Sequence, residues 1–292
     1  MTGFSLNANL SPSETLTPTP LPVRRERGPR RLKTHSNDDR RSVPRPSTSA
    51  PLALRGGRGG KGDEGGSGEG DEGSRGWGEG TFTLAVLASG SGTNLQALLD
   101  AAQADSLPAE IAVVVSNRPD SGALRRAAES GIASVSLPLA DRKDVALRAE
   151  HDARLSAVVD AFRPDLIVLA GWMLILGPAF LQRFRGRMVN VHPALLPDDG
   201  GLSVLSSRGT IPTLRGARPV RAALAQGLPV TGATVHYVTE AVDAGPVILR
   251  EEVVIHPEDD EGSLHERIKA VEHRLLPRAV AMALNAHDGK ER

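Results

Sequence analysis

From Phe82 onward, short apolar runs alternate with segments of helical spacing. That alternation restricts the fold more than any single residue does, because it predicts a largely parallel sheet covered by helices. Phe82 to Ala88 reads as the first strand. Leu95, Leu98 and Leu99 then recur at core spacing in a helix from Asn94 to Ala104. Ile111 to Val115 reads as a strand, Ser121 to Ser130 as a helix stopped by Gly131, and Ala133 to Leu137 as a short strand. Asp144 to Phe162 carries the long helical pattern, and Leu166 to Ala170 has the unbroken apolar character of a buried strand. Pro178 to Phe184 is a short helix with proline in its first turn, followed by a strand from Arg187 to Val191. A helix from Pro219 to Gln226, strands from Ala233 to Val238 and Val247 to Ile255, and a long helix from Ser263 to Leu284 complete the pattern. No internal repeat is evident. The expected fold class is α/β, one domain over residues 81–292.

Residues 1–80 are of another kind. They are rich in Pro, Arg, Ser and Gly, basic from Arg24 to Lys61 and acidic from Asp63 to Glu79. A segment with so few large apolar side chains does not bury enough surface to offset its ordering entropy, so disorder is expected. It reads as an interaction tail, a targeting peptide, or upstream sequence translated from a misplaced start. An inert tail or start artefact is the preferred reading. Acids throughout and no amphipathic Arg-rich helix argue against a transit peptide. No Met occurs between Met1 and Met173, so a shorter start needs another initiation codon.

The formal net charge is zero, which leaves no global electrostatic footprint for nucleic acid. Cysteine is absent, which excludes disulfides, a thiolate nucleophile and cysteine-ligated zinc, and suits a cytoplasmic setting. No apolar run reaches the ~18 residues of a membrane span, and no signal peptide opens the chain.

The first strand runs into Ser89-Gly90-Ser91-Gly92-Thr93-Asn94 and then a helix. Glycines admit a ligand close to the backbone, and the N–H groups of a helix start favour phosphate. The third glycine of a dinucleotide fingerprint is missing, since Leu95 stands there, and no Gly-Lys-Ser/Thr follows. A plain tight turn with Thr93 or Asn94 as helix cap remains open at this point.

Further on, the Val189 strand ends in Asn190-Val191-His192-Pro193-Ala194-Leu195-Leu196-Pro197. Side chains two apart on a strand share a face, so Asn190 and His192 project together before Pro193 turns the chain away. Asp243, in Glu240-Ala241-Val242-Asp243-Ala244-Gly245-Pro246, lies between two predicted strands and comes close to His192 if those strands are neighbours. An amide, an imidazole and a carboxylate form an acyl-transfer set. The amide and a protonated ring stabilise an oxyanion, while the carboxylate raises the ring's pKa and handles protons. Read alone, each residue is also an ordinary strand end or turn former.

The glycine loop, Val168-Leu169-Ala170-Gly171-Trp172-Met173, the Asn-Val-His-Pro run, Asp243-Ala244-Gly245-Pro246-Val247-Ile248 and Glu272-His273-Arg274-Leu275-Leu276-Pro277 occur in that order. Together they resemble the phosphoribosylglycinamide formyltransferases, folate-dependent enzymes of purine (IMP) synthesis. The resemblance covers nearly everything after residue 81. It implies a Rossmann-like formyltransferase domain, with 10-formyltetrahydrofolate as co-substrate and no metal. It implies Asn190, His192 and Asp243 as the catalytic trio, and the backbone of Gly92, Thr93 and Asn94 as a phosphate cradle. Glu272 is implied to hold the ribose hydroxyls and Lys269 to face the phosphate. Met173, Leu174, Ile175, Leu176 and Val242 are implied to border the folate. Implied partners are the two small molecules only, with no nucleic acid and no membrane, in a monomer or weak homodimer.

Departures from the pattern are two. Leu174 stands where relatives often have Arg, and a Gly- and Ser-rich insertion runs from about Asp198 to Ile211. The insertion is a flexible lid, an assembly feature or a decoration, the last being preferred. No site is assigned between Pro197 and Val220. His236 lines the pocket or simply packs, His273 is expected to support Glu272, and His151, His256 and His265 read as surface residues. Within the family, a methionyl-tRNA formyltransferase needs a second, C-terminal RNA-binding domain, and a formyltetrahydrofolate hydrolase an N-terminal regulatory one. A nucleotide-binding module without catalysis is the alternative of another class.

Overall fold

The computed structural model describes residues 82–291, with side chains described as far as 286. The expectation of disorder over residues 1–80 lies outside the described residues. The strands are β1 (Phe82–Leu87), β2 (Ala109–Ser116), β3 (Ala133–Ser136), β4 (Leu166–Leu169), β5 (Met188–His192), β6 (Ser203–Ser206), β7 (Gly209–Pro212), β8 (Val230–Tyr237) and β9 (Val247–Val254). The helices are α1 (Thr93–Gln103), α2 (Gly122–Glu129), α3 (Val145–Phe162), α4 (Pro178–Arg183), α5 (Pro219–Ala225) and α6 (Glu261–Glu291). Every predicted element is present. Ends move by a few residues, most at the start of β8 and the end of α6.

The main sheet has the order β3-β2-β1-β4-β5-β8-β9. Its first five strands run parallel, and β8 and β9 are antiparallel additions. The turn after β1 lies among the parallel strands, and β5, which ends in Asn190 and His192, borders the antiparallel ones. Strand order reverses between β1 and β4, the switch point at which open α/β sheets leave a crevice beyond the strand ends.

Two apolar layers enclose the sheet. Leu84 and Val86 of β1 pack with Leu95 and Leu98 of α1 and with Leu264, Ile268 and Leu276 of α6. Ala85 and Leu87, on the opposite face, pack with Leu155 and Val159 of α3 and Phe180 of α4. This alternation is the period-two signature of a strand covered on both sides. Burying a side chain as large as Phe180 contributes roughly 1.5–3 kcal/mol. Asp144 caps α3 by accepting from the N–H groups of Ala146 and Leu147, and Ser121 caps α2 through Leu124.

One expectation is corrected. His151 is not a surface residue: it is 4% exposed, and its Nε2 lies 3.0 Å from the Leu137 carbonyl oxygen. Its ring stacks on Trp172, so α3 is the support for the loop after β4. The insertion, read from sequence as a lid, an assembly feature or a decoration, has structure of its own. It folds into an antiparallel hairpin, β6–β7, because Val204 and Ile211 alternate inward to meet Leu195 and Val230. Ser207 binds Glu252 of β9, and Asp198 pairs with Arg250. Among the described residues, no helix is long and apolar enough to cross a membrane.

Candidate functional site

Strand register assembles the first cluster. Val189 and Val191 face the α6 layer, so Asn190 and His192 project from the other face, together with Met188. On the neighbouring antiparallel strand, His236 lies directly opposite Asn190. The loop after β8 then folds back and lays Asp243 over all three. Asp243 Oδ2 is 3.5 Å from His192 Nδ1, and Oδ1 is 3.6 Å from His236 Nε2. Asn190 Nδ2 donates toward Asp243 Oδ1 at 3.5 Å, the far limit of a hydrogen bond, and lies 3.2 Å from His236 Nε2. His236 Nδ1 is 2.9 Å from the Tyr237 carbonyl oxygen. The expected trio thus converges, and His236 lines the same cluster while also packing.

Asp243 adopts a left-handed backbone, φ 50°, which Asp tolerates better than most residues. Burial alone would raise its carboxyl. The bond to His236, the charge of His192 and the Gly216 N–H outweigh that and hold it below the ordinary carboxylate value. The carboxylate is therefore ionised at neutral pH. His192 departs from expectation. Asp243 and the Leu214 carbonyl do push its pKa up, but burial dominates and the net shift is downward. Both ring nitrogens face oxygens, Nε2 lying 2.7 Å from Leu214 O, so a proton on either one has an acceptor waiting.

The segment after the hairpin covers this cluster. Gly216 N–H donates to Asp243 Oδ2 at 2.7 Å, and Arg215 Nε donates to the Asp243 carbonyl oxygen at 3.0 Å. Sequence reasoning assigned nothing here, because neither residue belongs to a motif and only the folded hairpin brings them to Asp243.

The second cluster lies at the β1–α1 turn. Gly92 is the residue that caps α1, with φ 76°, and no side chain bonds the helix start. The alternative of Thr93 or Asn94 as the cap is therefore set aside, and the first-turn N–H groups are left to a ligand. Asn94 instead donates from Nδ2 to Glu272 Oε2 at 2.8 Å, across from α1 to α6. Burial raises the Glu272 carboxyl, with Asn94 and Lys269 opposing. The expected support of Glu272 by His273 gives way to this bond from Asn94. His273 Nε2 is buried without a partner. Lys269 pairs with Glu266, one turn away on its own helix. A cavity of about 500 Å³, bordered by Thr93, Gln96, Arg126 and His273, runs beside this turn.

Of the expected folate edge, Met173, Ile175 and Val242 are exposed, while Leu174 is half-buried. Leu176 faces the α3 layer and serves as core, so only its backbone is left for a ligand. Ser89 ties this edge to β1 and β2: its Oγ donates to Asn117 Oδ1 at 2.6 Å and accepts from Met173 N–H at 2.9 Å. Thr239, Glu240 and Ala241, in the loop that carries Asp243, line a second cavity of about 770 Å³ with Leu181 and Tyr237. Among the described residues, no group of three or more His, Asp or Glu could hold a metal ion.

Residues 82–280 match the family model described as formyl transferase. The chain belongs to the formyl transferase family. Within that family it is 44% identical over 204 residues to the phosphoribosylglycinamide formyltransferase of Mycobacterium tuberculosis strain H37Rv, covering 70% of this chain and 85% of that protein. It is 43% identical to the trifunctional purine biosynthetic protein adenosine-3 of Drosophila melanogaster, of which it spans only 14%. Its fold superposes with a TM-score of 0.62 on the crystal structure of glycinamide ribonucleotide transformylase 1 from Symbiobacterium toebii, at 35% identity over 70% of this chain and 89% of that one.

Proposed function

We propose that this member of the formyl transferase family moves a formyl group from 10-formyltetrahydrofolate to the amine of glycinamide ribonucleotide, a step of purine synthesis. The observation that carries the reading is the convergence of Asn190, His192 and Asp243, contributed by β5 and the loop after β8. The likeness to named phosphoribosylglycinamide formyltransferases supports the choice of substrate.

In this reading the substrate amine attacks the formyl carbon. Nitrogen bonds to carbon, and the carbonyl oxygen takes the negative charge. The Asn190 amide and a protonated His192 offer hydrogen-bond donors to that oxyanion. Ionised Asp243 accepts the proton shed by the amine, directly or through water. The oxyanion then re-forms the carbonyl, the C–N10 bond breaks, N10 takes the proton that Asp243 accepted from the amine, and tetrahydrofolate leaves. Burial lowers the pKa of His192, and the Asp243 carboxylate beside it is the group that favours its protonated form. The first turn of α1 takes the substrate phosphate. Glu272, fixed by Asn94, faces the ribose hydroxyls, and Lys269 adds positive charge nearby. Met173 to Leu176 and Val242 border the folate.

The test is to mix the protein with both substrates and follow absorbance as tetrahydrofolate is released. Release that requires the ribonucleotide supports the proposal. Release without it makes the protein a hydrolase, and none from folded protein makes it a binding module.

A further inference from the structure

Arg215 lies outside every motif, yet it makes three main-chain contacts that join the hairpin to the loop carrying Asp243. Its Nε donates to the Asp243 carbonyl oxygen at 3.0 Å, and its Nη2 donates to the carbonyl oxygens of Gly200 and Gly201 at 2.5 and 2.8 Å. Gly200 and Gly201 stand at the foot of the hairpin, where Thr213 closes the ring by bonding to Leu202 and Gly201. Gly200 also backs directly onto the same loop: a Cβ there would lie 3.2 Å from the Ala244 carbonyl oxygen. The hairpin is itself anchored, by Val204 and Ile211 in their own small core and by Ser207 and Asp198 against β9. A guanidinium with fixed, planar donors between carbonyls on two segments sets their separation, which a flexible ammonium does not.

We propose that Arg215 is a positioning residue for Asp243, with the β6–β7 hairpin as the fixed wall it bears on. The inference rests on the formyl-transfer reading above. Asp243 holds a left-handed backbone that its own preference does not select, so the surrounding structure must hold it there. Arg215 fixes its carbonyl and the next residue, Gly216, fixes its carboxylate oxygen Oδ2. The aim of the second carboxylate oxygen toward Asn190 and His236 follows from those two restraints. Arg215 touches no reacting atom. It acts through the loop, and the hairpin gives it something rigid to act against.

The experiment is steady-state kinetics of the full-length protein and Arg215→Ala with both substrates, alongside thermal unfolding and added millimolar guanidinium. The expected result is a folded variant whose kcat falls by about 10- to 100-fold, the scale of a small misplacement of a catalytic group. Both KM values stay within about threefold, and guanidinium restores part of kcat, which a loss of folded protein would not allow. Arg215→Lys, which keeps the charge but reaches one carbonyl at a time, falls between. If Arg215→Ala does not accumulate folded, Arg215→Lys carries the test through the same kcat loss at unchanged KM. A kcat within about twofold of the parent overturns the inference. So does a loss that tracks the unfolding temperature and ignores guanidinium. An inactive parent protein sinks the formyl-transfer reading itself, whereas an active parent with a normal Arg215→Ala sinks only the role of Arg215.

Discussion

The turn after β1 and the face shared by β5 and β8 meet a ligand with different parts of the chain. At the turn the available groups are main-chain N–H donors, left unpaired because Gly92 starts the helix with no side-chain cap. At β5 and β8 they are side chains, each already engaged with another: Asn190 with His236, His192 with Asp243 and Leu214. The parallel half of the sheet therefore offers fixed partial charge at little reorganisation cost. The border between the parallel and antiparallel strands offers titratable groups whose states depend on one another. A phosphate of constant charge suits the first. A reacting carbon, where charge grows and a proton moves, suits the second.

The strongest test of this division is Asp243→Asn. The amide keeps the shape but neither the charge nor the basicity, so kcat is expected to fall by about 10²- to 10⁴-fold with the fold intact. Binding of the ribonucleotide, measured by calorimetry, is expected to change little if, as proposed, its phosphate is held at the turn after β1. Near-normal turnover would remove Asp243 from the chemistry. A matching loss of ribonucleotide binding would show that the two ends are not separable.

Gly92→Ala strikes the other end. Its φ is 76°, and an added Cβ would lie 2.6 Å from the Ala123 Cα, so strain and overlap both oppose the change. The left-handed conformation alone costs about 1–2 kcal/mol. The unfolding temperature should drop and the KM for the ribonucleotide should rise, with kcat at saturation less affected. An unchanged KM would show that the turn's backbone does not hold the phosphate.

The same contrast explains what the sequence disclosed. The turn after β1 was legible because its device is local: two glycines and a helix start lie within six residues of chain, Ser89 to Asn94. The alternation from Phe82 onward predicted the sheet and both its faces, because burial on two sides leaves an unbroken apolar run. Asn190 and His192 were legible as a same-face pair. That Asp243 reaches them depends on β8 pairing with β5 and on a loop folding back, which the sequence offered only as a condition and the resemblance to a family made definite. His151 was misplaced because a lone imidazole in a helical pattern does not say which side the helix presents. The hairpin escaped notice because Val204 and Ile211 are single apolar residues among Gly and Ser. Their burial exists only once Leu195 and Val230 are in place.

Glu272→Gln tests whether the buried acid serves binding rather than stability. Burial already disfavours its charge, so the amide should leave the unfolding temperature unchanged or raise it. If Glu272 binds the ribose as proposed, loss of charge-assisted bonds should raise the ribonucleotide KM by about tenfold, the equivalent of some 1.4 kcal/mol. Turnover at saturation should stay close to the parent value. A stability loss with unaltered KM would make Glu272 a strut between α1 and α6 and not a ligand group.

The smallest effect expected is in the pH dependence of stability, and it sharpens the account of the crowded end. Burial lowers the pKa of His192 in the folded protein from the ordinary value of 6.5, and lowers His265 and His273 as well. Below 6.5 the unfolded chain binds protons that the folded one still refuses, so stability falls as pH drops from there toward the folded values. Asp243, shifted below 3.8, contributes stability above that value and loses it only in stronger acid, so it does not confuse this window. Glu272, raised by burial, acts in the opposite sense as pH falls, so the decline from pH 7 to pH 5, roughly 2–4 °C per kcal/mol, is read in a Glu272→Gln background. His192→Asn should flatten the decline, since the amide cannot take up the proton, while His265 and His273 leave a remainder. An equally steep decline in the variant would mean that the pKa of His192 is unshifted by folding, and a steeper one that the Asp243 charge outweighs burial.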